Sequence, residues 1–124
     1  MTTTLKILGQ FRVKPGSADA FAKLVEALDV EEYNHLELGQ DDTVVLGIDE
    51  DTSHGSYRDA IELLDQFVLD HSVLGAAVLQ TGDSPDDWGL FGLDEDPGDQ
   101  AKRDYFTWHR NFWQQQLDQL ETQP

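Results

Sequence analysis

The sequence predicts an α+β fold: a four-stranded antiparallel sheet of order βαββαβ, followed by one more helix. Three observations predict it. Four short segments carry strand-like apolar patterns, three others carry apolar residues at helical spacing, and clusters of Pro, Gly and Asp punctuate the chain between them.

Leu5, Ile7, Gly9, Phe11 and Val13 alternate with Lys6, Leu8, Gln10 and Arg12. This is a half-buried strand whose polar face is broken once, at Leu8. Pro15-Gly16 ends it. Ser17 stands at the N-cap of a helix, with Asp19 in the first turn, where an acid suits the helix dipole. Phe21, Leu24, Val25 and Leu28 follow at i, i+3, i+4 and i+7, which predicts a helix over 17–30. Residues 33–38 read as a short strand, Gly39-Gln40-Asp41-Asp42 as a turn, and 43–48 as a β-branched strand, together a hairpin. Residues 49–55 read as an acidic loop. Ser56-Tyr57-Arg58-Asp59 resembles a capping box, opening a second helix over 56–71 with Ile61, Leu64, Phe67 and Val68 on its stripe. Residues 73–80 read as a fourth strand. Trp88-Gly89-Leu90-Phe91-Gly92-Leu93 is a short apolar strand or clip between two acidic turns, 81–87 and 94–99. A third helix spans 100–120 and is rich in aromatics, including Tyr105, Phe106, Trp108, Phe112 and Trp113. The order is the split βαβ, ferredoxin-like arrangement, with two helices on one face of the sheet. The other face needs a cover, which the C-terminal helix or a second copy in a homodimer would supply.

At 124 residues the chain is one domain by size, large enough to bury a core without staples. It has no cysteine, which excludes disulfides, thiolate metal sites and a cysteine nucleophile. The 12 aromatics (six Phe, three Tyr, three Trp) argue against disorder. The net charge of −17 is unevenly spread: residues 41–101 hold sixteen acids and one base, Arg58, whereas 102–124 are balanced. Such a field repels nucleic acid and anionic membrane and attracts cations or a basic protein surface. The seventeen Asp against four Lys also fit a salt-adapted, halophilic protein, although halophilic acidity would coat the whole chain evenly. The first residues lack the basic and apolar regions of a signal peptide, and no apolar run approaches the ~20 residues that span a bilayer, so a cytoplasmic protein is expected.

The chemistry-bearing patterns are sparse. Asp49-x-Asp51-x-Ser53 opens like a calcium loop, but His54 stands where Gly belongs and Ala60 where the closing Glu belongs. Asp94-x-Asp96-x-Gly98 fails in the same way, with Tyr105 at the closing position. His35, His54, His71 and His109 form no pair at metal-ligand spacing, so no metal is expected. No serine elbow and no glycine-rich phosphate loop is present, so neither a catalytic residue nor a cofactor is assigned.

Phe11-Arg12-Val13-Lys14-Pro15-Gly16-Ser17-Ala18-Asp19-Ala20-Phe21 resembles the first strand-to-helix junction of the antibiotic-biosynthesis-monooxygenase family. The order of elements agrees over roughly residues 4–80. The resemblance implies a ferredoxin-like dimeric α/β barrel. Where the family often has Glu-Pro-Gly this chain has Asp29-Val30-Glu31-Glu32, and where it often has a Trp this chain has Gly47-Ile48-Asp49-Glu50. No catalytic residue carries over.

The first functional expectation is a non-catalytic protein that engages a basic protein surface, in the class of inhibitors, immunity proteins and DNA mimics, without contacting nucleic acid or membrane. Its contact residues would be Asp41, Asp42, Asp83, Asp86, Asp87, Asp94, Glu95 and Asp96, with Trp88, Phe91 and Trp108 as aromatic anchors. The second is a cofactor-independent, monooxygenase-like or small-ligand-binding dimer with a pocket lined by Phe11, Leu36 and Phe67. The third is a halophilic protein whose acidity only keeps it soluble.

Overall fold

The computed structural model describes the backbone of residues 2–84, 87–92 and 99–122; for residues 88, 99–102, 104, 105, 108, 109, 112 and 116 it describes the backbone alone. The chain divides into two compact units, Met1–Leu93 and Asp94–Pro124. The first contains β1 (Thr2–Arg12), α1 (Ala18–Leu28), β2 (His35–Leu38), β3 (Thr43–Ser53), α2 (His54–His71), β4 (Ala77–Gln80) and β5 (Trp88–Phe91). The second contains α3 (Asp99–Glu121). The sheet is antiparallel throughout, in the order β2-β3-β1-β4-β5. Its first four strands have the ferredoxin-like split βαβ order expected from the sequence, and β5 extends the sheet beyond β4.

The spine is the β1–β3 ladder, paired without a break from Thr2↔Ser53 to Arg12↔Thr43. Strand alternation then assigns every side chain a face. Leu5, Ile7 and Phe11 of β1, and Val13 just beyond it, turn to the same side as Val44, Leu46 and Ile48 of β3, and all are buried. α1 lays Phe21, Leu24 and Leu28 on this side, and α2 adds Ala60, Leu64, Phe67 and Val68. Phe67 meets Phe11 and Phe21 edge to face, at centroid distances of 6.2 and 6.0 Å, a favoured arrangement of ring quadrupoles. Gly9 lies in the core-facing row of β1, and a Cβ there would meet Leu79 Cδ2 at 2.8 Å. The glycine thus makes room for the fully buried Leu79 of β4. The opposite face carries Lys6, Leu8, Gln10 and Arg12 of β1 beside Val45, Asp49 and Asp51 of β3.

Several boundaries differ from the sequence expectation, each for a local reason. Residues 49–53 are not a loop: they continue β3, because Thr2–Lys6 supply them with ladder partners. Pairing overrides the low strand propensity of acids. The second helix therefore starts at His54, and its cap is Ser53, whose Oγ accepts a hydrogen bond from the Ser56 N–H at 3.1 Å, in place of a box at 56–59. Ser17 holds the N-cap position of α1, but its hydroxyl donates back to the Lys14 carbonyl at 2.7 Å and does not cap the helix. α1 stops at Leu28 because Asp29 takes a left-handed conformation, φ 48°. β4 is short because Ser72–Gly75 form a turn: the Gly75 N–H donates to the Ser72 carbonyl, and Ser72 Oγ donates to the Ala76 carbonyl.

Gly92 is hemmed in by backbone of two other segments. Its φ is +83°, its N–H donates to the Asp65 carboxylate of α2, and a Cβ there would fall 2.5 Å from the Gly75 carbonyl oxygen and 3.0 Å from the Leu69 nitrogen. Gly55, in the first turn of α2, has nothing within 4 Å of such a Cβ. Gly92→Ala is therefore expected to destabilise the fold by about 1–3 kcal/mol, the cost of strained left-handed backbone, before any clash is relieved. Gly55→Ala is expected to stabilise it by up to about 1 kcal/mol. Urea unfolding of both variants checks the opposite signs.

Candidate functional site

The end of the sheet where β1 begins and β3 finishes gathers acids from distant parts of the chain. α1 delivers Asp29 there, and the following turn delivers Glu31 and Glu32. β3 contributes Asp49, Glu50 and Asp51, and the start of α2 contributes Asp59. The β4–β5 turn brings Asp83, which accepts a hydrogen bond from Lys6 Nζ. Lys6 also lies 3.9 Å from the Asp49 carboxylate.

Alternation along β3 splits its three acids between the two faces. Asp49 pairs across the ladder with Lys6, and Asp51 accepts a hydrogen bond from Thr4 Oγ1 at 2.8 Å. Glu50 turns to the helix side. Its Oε1 accepts from Asn34 Nδ2 at 2.9 Å and from the Glu31 N–H at 3.1 Å, while Asn34 Oδ1 accepts from the Asp49 N–H at 2.9 Å. These bonds lock the α1–β2 turn against β3, so acids from two segments are held in one arrangement.

Tyr33 sits in that turn, 71% exposed. Partial loss of hydration, then the charges of Glu50, Glu31, Asp49 and Asp51, hold its phenol above the ordinary 10.0. An exposed aromatic ring amid carboxylates suits a cation, which gains from both the charges and the ring face. The sequence reading passed Tyr33 over; the signal was its position after Glu31-Glu32.

On the helix side of the same end lies a cleft of about 230 Å³. Leu5, Leu28, Val30, Ala60 and Leu63 supply its apolar walls, and Asp29, Glu50, Thr52, Ser56 and Asp59 its polar ones, with Ala27 between. Ala27, Asp59 and Leu63 also border a shallower depression that runs on along α1 and α2 to Glu62 and Gln66.

The expected contact residues are divided by the fold. Asp83 belongs to the acidic end. Asp87 holds the β4–β5 turn: its N–H donates to the Ser84 carbonyl, and its carboxylate accepts from the Ser84 N–H. Asp41 and Asp42 lie just beyond the far end of β3, where the eight steps from Thr43 to Asp51 alone span roughly 27 Å at ~3.4 Å per strand residue. There they shape the β2–β3 turn: Asp41 Oδ1 accepts from the Thr43 N–H, Asp42 is left-handed, and the Asp42 carbonyl accepts from the Val13 N–H. Phe91 is not an exposed anchor. It is 4% exposed, because its place in β5 turns it into the core, and alternation brings Leu90 to the surface in its stead. Trp88 opens β5 and Trp108 lies in α3, but both side chains fall outside the described residues, as do Asp86, Asp94, Glu95 and Asp96. The expected pocket at Phe11, Leu36 and Phe67 is packed core, with Phe11 and Phe67 in ring contact.

Among the described residues no group of three His, Asp or Glu is placed to hold a metal ion, and the Asp49–Ser53 segment is extended strand, unable to wrap around one. No described helix is long and apolar enough to cross a membrane. No family model matches the chain, and neither a curated protein nor a solved structure matches it.

Two measurements probe the electrostatics. The Tyr33 titration, read as the ultraviolet difference between wild type and Tyr33→Phe, is expected to have its midpoint above 10.0 at low salt and to fall as salt screens the carboxylates. The second concerns Lys6, whose ammonium is held above 10.5 chiefly by its hydrogen bond to Asp83, while the same bond holds Asp83 below 3.8. The lowered carboxyl stabilises the fold above its unfolded pKa and loses that effect as pH falls through the folded value; the raised ammonium loses its effect at the alkaline end. Lys6→Met is therefore expected to lower Tm at pH 7 and to have a smaller effect at pH 2 and in molar salt.

Proposed function

We propose that the protein is a non-catalytic binding protein that uses the acidic end of its sheet to engage a basic protein surface. One observation carries this reading. The fold collects Asp29, Glu31, Glu32, Asp49, Glu50, Asp51, Asp59 and Asp83 at one end, with Lys6 among them. Like charges assembled so closely oppose folding, so their convergence on a rigid ladder and helix pair favours a role in meeting opposite charge. Closely spaced carboxylates imitate a phosphate backbone, which puts inhibitors of nucleic-acid-binding proteins within this class. Tyr33 takes the part of aromatic anchor that the sequence had given to Phe91.

Binding to a small basic protein such as lysozyme, followed by calorimetry, tests the reading. Affinity is expected to fall about tenfold or more between 20 and 200 mM salt. The triple variant Glu31→Gln/Asp49→Asn/Asp51→Asn is expected to weaken binding, and Tyr33→Ala to weaken it further. Asp19→Asn, near the start of α1 at the other end, is expected to leave it unchanged. Affinity indifferent to both salt and the triple variant overturns the reading.

A further inference from the structure

We propose that the cleft between the C-terminus of α1 and the N-terminus of α2 is the seat of a single arginine side chain from the basic partner. The inference rests on the binding reading above and names the group that it would recognise.

Size restricts the occupant first. The cleft holds about 230 Å³, below the ~300–1,000 Å³ of sites for drug-sized ligands, which leaves room for one long side chain. Its chemistry restricts the occupant further. Leu5, Leu28, Val30 and Leu63 offer an apolar bed for an aliphatic stem, and Asp29, Glu50 and Asp59 put carboxylates on the walls. A long cationic side chain divides in the same way, with apolar methylenes behind a charged head. Both Glu50 hydrogen bonds use Oε1, so the turn is anchored through one oxygen of that carboxylate.

The end of α1 agrees with this sign. α1 ends at the cleft, and its last turn contains no basic residue, so the partial negative charge of its C-terminal carbonyls adds to the acids. α2 begins there with the opposite dipole, whose partial positive charge Ser53 meets at one N–H, and the carboxylates of Asp29, Glu50 and Asp59 set the net sign of the cleft. The apolar walls favour guanidinium over ammonium, because guanidinium is the more weakly hydrated cation and offers a planar fork to carboxylates.

The test is a titration of the ¹⁵N-labelled full chain with N-acetyl-arginine methylamide at low salt, beside the capped lysine. Saturable shifts are expected at the amides of 27–30, 50–52 and 56–60, with the arginine probe binding more tightly than the lysine probe. Asp59→Asn is expected to raise Kd two- to five-fold, the range that an exposed ion pair supplies. Asp29→Asn does the same and keeps a residue that tolerates the left-handed backbone. Ala27→Arg changes an exposed helix position on the cleft wall and supplies a tethered guanidinium; it is expected to abolish probe binding while Tm stays near the wild-type value. Asp19→Asn is expected to change nothing.

Shifts that spread over the surface without saturating overturn the proposal, as does equal weakening by Asp19→Asn or tighter binding of the lysine probe. The two readings fail separately. Salt-sensitive lysozyme binding that survives Ala27→Arg removes the cleft and leaves the acidic end. Lysozyme binding indifferent to both salt and the triple variant removes the reading of the acidic end, and the arginine titration still decides whether the cleft takes a guanidinium.

Discussion

The β1–β3 ladder is the interaction on which the rest of the first unit depends. It runs unbroken over eleven residues of each strand, so one register decides which face every side chain of both strands takes. A slip of β3 by one residue would turn Val44, Leu46 and Ile48 outward and bring Asp49 to the core face. Burial of the apolar row holds the register, since each fully buried Leu or Ile is worth roughly 1.5–3 kcal/mol. The helices then pack on the face that carries this apolar row, and the cleft lies between their ends and the strands.

The same ladder carries the acidic end. An acid-rich loop would scatter its charges, whereas the extended strand holds Asp49 and Asp51 on one face and Glu50 on the other. Glu50 joins structure to surface charge, since its hydrogen bonds to Asn34 and to the Glu31 backbone fix the turn that holds Tyr33. On the opposite face Lys6 offsets part of the repulsion, with Asp83 and Asp49 beside it. The arrangement is locally neutralised where the strands pack and left negative around Tyr33, which suits recognition of a cation.

Chain segments and their periodicity were legible without the structure. The alternation of Leu5 to Val13, the stripe Phe21-Leu24-Leu28 and the stripe Leu64-Phe67-Val68 are local patterns, and all became core. Where the sequence misled, partners far along the chain decided the outcome. Asp49–Ser53 looked like a loop until Thr2–Lys6 paired with it, and Phe91 looked like an exposed anchor until β5 joined β4 in a register that buries it.

The sequence by itself determined the order of elements, the absence of cysteine chemistry and the excess of acid. Tertiary structure alone decided which acids share a surface. Asp41 and Asp42 are closer in sequence to Asp49 than Asp83 is, yet they lie a strand length away, while Asp83 meets Lys6 near the acidic end. The physical reason is that electrostatic and apolar interactions act over distance in space, and a strand that rises ~3.4 Å per residue separates chain neighbours while pairing joins segments far apart in sequence.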